Sequence, residues 1–520
     1  MHSWSKSLKQ IYCRLDRRVL SVFRAALGMV LLYDLRRRFP DAALFWSNDG
    51  LLSSEALRKA PQGAHQVSFL LSVSSGPAVR WAFVALGLLF LLYTLGLFTR
   101  LMQPLVLLGY ASLNARNLFF EDGGTSLVII LLTWTVVLPL ADCLSLDALR
   151  RDAGQRTLKM RVAARAEAQK PLVTLAGLAI LLQAAVIYWL NAAHKSGATW
   201  RGGNAVHLVL WQHRVNTPFA HWLALHEPAW FSPLATKLTR RTEFVLPVLL
   251  LWPLHFKQTR SLAFVLAVLL HGGIALTLTL GPFSYAMICL LWLAIPGEAL
   301  DAVLGALGPA SRATYWRFAR LRARMVRGLH RLGLGARGPR ISLAFQRRLV
   351  MLREALIVYL FFAESVSVLN SNRAVPKPLR VAGSEPVLEG YKPYLRGFQN
   401  WSMFAPDAPT EDGTMVVDAI TAGGKHIDPF TGLPPNWQQI RDGLAPHSIA
   451  MSDYFFAMRD LHQAASYRHD LVRYLKRWPA ATRSDRLRSA EFWWVSYVPP
   501  ARGSYEPGPL EKQRLWKVAL

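Results

Sequence analysis

The chain has 520 residues, 52% of them hydrophobic, and a formal net charge of +28. Several apolar runs are too long for soluble core helices, which makes it a polytopic membrane protein and excludes a disordered or small soluble fold. Residues 370 to 520 hold 19 basic and 15 acidic side chains, which leaves about +24 on the rest. Because apolar runs interrupt that charge, it fits cytoplasmic loops held against an anionic inner leaflet, not a nucleic-acid binder. The three cysteines, Cys13, Cys143 and Cys289, are too few for a disulfide framework.

In chain order, the basic N-terminus (Lys6, Lys9, Arg14, Arg17, Arg18) precedes an apolar stretch that Arg24 interrupts, with no small-residue cleavage site after it. An uncleaved first span is expected. The candidate spans are Val19 to Leu35, Trp81 to Phe98, Leu101 to Phe119, Ser126 to Leu144, Pro171 to Leu190, Glu243 to Leu254, Ser261 to Leu280, Phe283 to Ala299, and Leu349 to Leu369. The first, third and sixth carry the weakest signal: the sixth is only about twelve residues unless it starts near Leu234.

The loop from Ser145 to Lys170 has seven basic residues, and Arg312 to Arg348 has eleven arginines with no acidic residue. Both belong in the cytoplasm by the positive-inside bias, as does the N-terminus. Nine crossings then place the C-terminal part outside, with Arg36, Arg37 and Arg38 at an outer end against that bias. Tyr315, Trp316, Phe318, Leu321, Met325, Val326 and Leu329 are interleaved with the arginines, which predicts an interfacial helix on the inner leaflet, ended by Gly333, Gly335, Gly338 and Pro339.

The predicted fold class is an all-α polytopic membrane bundle of eight or nine transmembrane helices with a small extracytoplasmic mixed α/β C-terminal domain. Residues 1–370 form the membrane part, with outer loop helices over 191–241 and the arginine-rich interfacial helix within 302–348. Residues 371–520 form the outer domain. Its composition shifts to proline (376, 378, 386, 393, 406, 409), with strand candidates at Thr414 to Thr421 and Ala490 to Val498 and a helix over Ser452 to Trp478. Trp401 and Phe404 are expected to dock it on the bundle. His207, His213, His221 and His226 are spaced by six, eight and five, so no two stack one turn apart, and no metal site is expected. Tryptophans in this loop are expected at headgroup level.

Ionisable residues at membrane depth are costly unless paired or facing a cavity. Arg24, Arg353 and Glu354 fall toward the inner side, and pairing that fixes helix register is the favoured account of them. Asp34, Arg116 and Glu364 fall toward the outer side, which also holds Lys195, and are expected to line a polar pocket opening to the extracytoplasmic face. His271 falls near mid-span.

Lys195 stands in Y-W-L-N-A-A-H-K-S-G-A-T-W-R-G-G, residues 188–203, where the fifth apolar span meets water. Taken without context, it reads as a snorkelling anchor in the aromatic belt beside Tyr188, Trp189 and Trp200. The spacing of Tyr188, Lys195, Trp200 and Gly203 resembles the active-site lysine segment of the vitamin K-dependent gamma-carboxylases and their bacterial relatives, the horizontally transferred transmembrane (HTTM) family. His271-Gly-Gly followed by Leu280-Gly-Pro-Phe-Ser-Tyr285 is similar to the family's histidine and Gly-x-Phe-Ser-Tyr block. Gln399-Asn-Trp-Ser-Met-Phe-Ala-Pro406 resembles its Q-x-W-x-M-F-x-P signature. The resemblance covers roughly residues 15 to 430.

The resemblance implies a carboxylase-like lyase in which a reduced quinone, menaquinol or a vitamin K hydroquinone-like molecule, is deprotonated by the lysine and oxidised by oxygen. The strong base so formed abstracts a glutamate proton from a peptide or protein substrate on the outer face before CO2 adds. It implies catalytic roles for Lys195 and His271, and quinone contacts from Trp200, Arg116 and Tyr285. Lys195 is then a neutral amine in a desolvated outer pocket with Arg116 nearby. Two features depart from the carboxylases: Asp122-Gly123-Gly124 stands where they carry Asn-His, and the carboxylase disulfide has no cysteines here. The alternative is a non-enzymatic membrane protein, an immunity, scaffold or lipid- or quinone-binding protein that retains the fold.

Overall fold

The computed structural model describes residues 8–59, 66–155, 157–306, 308–336, 342–383, 392–440, 448–459, 465–482 and 485–520. The expectations on Lys6, Gly338, Pro339 and Pro386 fall outside them, as do the side chains of Tyr315, Trp316 and Phe318. The chain is mostly helical, with a small sheet near its C-terminal end. Nine helices coincide with the nine apolar runs: α1 (Arg17–Arg38), α2 (Gly76–Leu95), α3 (Thr99–Ala115), α4 (Gly123–Val137), α5 (Leu175–His194), α6 (Phe231–Leu251), α7 (Phe256–Thr277), α8 (Phe283–Trp292) and α9 (Leu343–Ser371). Three of them, α2, α5 and α7, are long and apolar enough to cross a membrane, and α4 and α8 are shorter apolar helices.

Local chemistry sets the helix ends. Asp122 and Thr125 close a reciprocal capping box at the start of α4. Ser75 caps α2, with Pro77 in its first turn, and Gly96 ends it at φ +69°, a conformation that suits glycine. Thr174 caps α5, and its hydroxyl also reaches Glu354 of α9 at 2.9 Å. The central position of α5 shows in its burial: 67% of its most apolar window is buried, against 28% for α2 and 22% for α7. Its C-terminal end therefore delivers Lys195 into the packed interior.

The sixth run extends further than its apolar residues suggested. Its helix begins at Phe231 and carries Lys237, Arg240, Arg241 and Glu243 through its first half. The arginine-rich helix, Gly308–Arg331, lies against Leu146–Gly154, joined by Arg322 to Asp152 at 2.7 Å and by His330 to the Ala153 carbonyl at 2.8 Å. The two basic loops thus form one packed unit.

The C-terminal sheet is antiparallel. Its strands are β1 (Asp412–Thr421), β2 (His426–Ile427), β3 (Leu487–Tyr497) and β4 (Glu511–Ala519), in the order β2-β1-β3-β4. Val416, Val495 and Tyr497 pack on Leu210, Trp211 and Ala220 of the loop helices, whereas Met415, Val417, Phe492 and Trp494 join the main core. Cover on both faces explains the consecutive apolar residues Met415, Val416 and Val417 in β1. The helix predicted over Ser452 to Trp478 is helical in both of its described parts, α10 (Ile449–Arg459) and α11 (Ala465–Thr482). Asp470 of α11 accepts the Ser53 N–H at 2.7 Å, and Arg396 pairs with Glu121, so polar contacts as well as core tie this part to the bundle. Trp401 is fully buried, its indole N–H donating to Gln399 at 2.8 Å.

Candidate functional site at the end of the central helix

Helix α5 stops at His194, and the turn that follows is fixed by the segment after Trp401. Gly197 donates its N–H to the Pro406 carbonyl at 2.9 Å. A Cβ there would lie 2.0 Å from the Asp407 carboxylate, so a larger residue would displace that side chain. Asp407 accepts the Thr199 N–H at 2.7 Å and its hydroxyl at 2.8 Å, and the Trp200 indole N–H donates to the Phe404 carbonyl at 2.7 Å. Two sequence blocks about two hundred residues apart therefore build one turn.

Within that turn Lys195 Nζ lies 2.5 Å from Glu243 Oε1 and 4.6 Å from the centroid of the Trp200 ring. Asn191, one helical turn before Lys195, donates its amide to the same Glu243 oxygen at 2.7 Å. Lys195 and Glu243 are both buried. Burial pushes the Lys195 ammonium below the ordinary lysine value, and the Glu243 carboxylate offsets part of that shift. On α7, His271 Nε2 lies 2.8 Å from the Tyr188 hydroxyl, and its ring meets Phe283 edge-on at 5.6 Å.

These groups line one cavity of about 480 Å3. Tyr188, Asn191, Lys195, Glu243 and His271 supply its polar side. Aliphatic side chains of α6 and α7, with Phe283, Met287, Met403 and Phe404, supply the rest. All three sequence blocks thus contribute walls to it. The size and the few polar groups on an apolar lining are those of a small-molecule site. Glu243 Oε2, Asn191 Oδ1 and His271 Nδ1 are buried with no hydrogen-bond partner among the described residues. Buried polar atoms are rarely left so, and all three belong to residues that line this cavity.

The structure brings Lys195, His271 and Trp200 together and leaves Arg116 and Tyr285 outside the cavity lining. Arg116 donates to the Leu52 carbonyl at 2.8 Å, and Tyr285 stands edge-on to Tyr33 at 5.2 Å with 40% of its surface exposed. The expected outer pocket of Asp34, Arg116 and Glu364 does not form around Lys195. Asp34 pairs with Arg37 and Arg38 of its own helix, and Glu364 takes the Gln399 amide. Helical spacing of three and four explains the Asp34 pairs, because those positions share one face. Among the loop histidines, His207 pairs with Glu227 at 2.5 Å, a partner twenty residues on. Trp200 and Trp211, expected at headgroup level, are buried, whereas Trp222 and Trp230 are exposed. The packing of β1 and β3 on the loop helices accounts for Trp211.

Glu243 is the site residue that sequence reasoning missed as chemistry. Its signal was present, since it is an acid at the edge of an apolar run at the depth expected for Lys195. No protein-family model, curated protein or solved structure matches the chain, so the chemistry of the site rests on its own geometry.

Proposed function

We propose that the chain is an integral protein of the cell's inner membrane, with eight or nine crossings, whose outer-side cavity binds a reduced quinone and whose Lys195–Glu243 pair takes a proton from it. The support is the convergence of an apolar cavity, a buried amine and three unpartnered polar atoms at one place. In this reading the quinone ring lies beside Trp200, Phe283 and Phe404, which line the cavity. The isoprenoid tail leaves past Leu238 and Leu269, which line the cavity and are 51% and 66% exposed on the flank of α6 and α7. Entry is then from the bilayer.

When bound, the quinol supplies the hydroxyl proton and the two-electron redox chemistry with oxygen. The pair accepts one proton whichever partner holds the shared one, because both neutral arrangements become an ammonium beside a carboxylic acid. Asn191 holds Glu243 in place, Trp200 covers the ammonium, and Tyr188 sets the ring of His271 so that Nδ1 is the nitrogen left for the ligand. The carboxylase-like lyase reaction on an outer peptide glutamate, with CO2, follows from the resemblance.

A second reading, a non-enzymatic quinone- or lipid-binding protein, is favoured by one observation. Lys195 is already held by Glu243 at 2.5 Å, as a structural ion pair would hold it. Purified protein in detergent, given reduced menaquinone and oxygen and assayed for the epoxide, separates the two. Epoxide formed at a rate above the protein-free control supports the enzyme. Tight binding without turnover supports the binding protein, and the absence of both contradicts the quinone site.

A further inference from the structure

A second cavity, of about 270 Å3, opens where the start of α1, the turn after α4 and the helices Leu146–Gly154, Leu158–Gln169 and Gly308–Arg331 meet. It is far from Lys195 in composition: four guanidiniums, Arg17, Arg151, Arg165 and Arg322, converge on it. Two aspartates bridge them. Asp142 takes Arg17 and, at 3.1 Å, Arg151; Asp152 takes Arg165 at 2.9 Å and Arg322 at 2.7 Å. Glu167 also lines the cavity and pairs with Lys170 at 2.5 Å, so those two charges cancel. Four fixed positive charges against two carboxylates leave an excess of two in a half-buried space. The Nε atoms of Arg17 and Arg322 are buried with no partner among the described residues.

We propose that this cavity is a binding site for a phosphate-type anion, either a free phosphate or the headgroup of an anionic phospholipid. Guanidinium forks match the oxygens of a phosphate, and a phosphomonoester carries between one and two negative charges, the charge that is unbalanced here. The volume corresponds to about nine waters at roughly 30 Å3 each, room for a phosphate and its immediate substituent. The two basic loops are already bridged by Asp152, and the anion would take up the guanidinium charge that the carboxylates leave. It does not depend on the quinone reading.

The test uses the full-length protein, stripped of lipid in detergent and titrated with inorganic phosphate by calorimetry. In parallel, phosphatidylcholine nanodiscs with and without phosphatidic acid are analysed for retained lipid by native mass spectrometry. Binding of phosphate assigns a free anion, and retention of phosphatidic acid alone assigns a headgroup. In either case Arg322→Gln should weaken binding by about tenfold, the loss of one charge-assisted hydrogen bond, and Asp152→Asn, which adds a net positive charge, should tighten it. If Arg322→Gln does not fold, Asp152→Asn decides: no tightening overturns the site. Failure of both probes to bind the parent, or equal binding by the parent and Arg322→Gln, also overturns it.

Discussion

Two buried carboxylates, Asp34 in α1 and Glu243 in α6, look alike in sequence and differ in what surrounds them. Asp34 has both oxygens occupied, Oδ1 by Arg37 at 3.1 Å and Oδ2 by Arg38 at 2.8 Å and the Tyr110 hydroxyl at 2.9 Å. Glu243 has one oxygen taken by Lys195 and Asn191 while the other faces no partner, on the wall of a 480 Å3 cavity. A carboxylate whose acceptors are all used holds helices in register. One with an acceptor to spare beside a cavity is equipped to handle a ligand.

That contrast is broken most sharply by Asp34→Ala. It strands two arginines and should cost about 3–5 kcal/mol, read as a fall in thermal stability in detergent; a loss below about 1 kcal/mol would mean the network is not structural. Trp401→Ala should be nearly as damaging, about 3–5 kcal/mol, with ready proteolytic release of the segment beyond it, because Trp401 is fully enclosed. A tail as protease-resistant as the parent's would contradict that docking. Glu243→Gln should cost less than about 2 kcal/mol, since a buried lysine can release its proton when its partner is neutral; a loss as large as that of Asp34→Ala would erase the difference between the two acids.

The pH-dependent effect is in β1. Burial pushes the Asp412 carboxyl up to about 7, against backbone N–H groups, including that of His213, that pull it down. Its folded value is raised, so the stability associated with the protonated form is present below about 4 and is lost as pH rises through about 7. Asp412→Asn keeps an acceptor for the His213 N–H without the charge. Its advantage over the parent in thermal unfolding should grow across that window by about 4 kcal/mol and then level off. His213, pushed down to about 4 by burial, is present in both proteins and drops out of the comparison. A pH-independent difference would contradict the assignment.

Much of this was legible from residues alone. Each apolar run proved helical, and Lys195, Trp200 and His271 line one cavity. The strands β1 and β3 were visible in their β-branched and aromatic runs. The edge strand β4, Glu511–Ala519, was not, because its charged, exposed sequence carries little apolar alternation. Arg116 was misplaced for a different reason: depth along a span does not say which neighbour a side chain faces. Glu243 was missed because its partner lies 48 residues away and pairing across helices leaves no periodic trace.

The central claim is that Lys195, backed by Glu243, takes a proton from a quinol in the outer cavity. The most direct measurement compares Lys195→Ala and Lys195→Arg with the parent in oxidation of reduced menaquinone to the epoxide, with quinone binding followed in the same samples. The account predicts that both variants fold and bind the quinone, that neither forms epoxide, and that small exogenous amines partly restore Lys195→Ala. An arginine keeps the pair with Glu243 but does not give up its proton. Full epoxide formation by Lys195→Ala or Lys195→Arg would contradict the account and leave Lys195 as a structural ion pair.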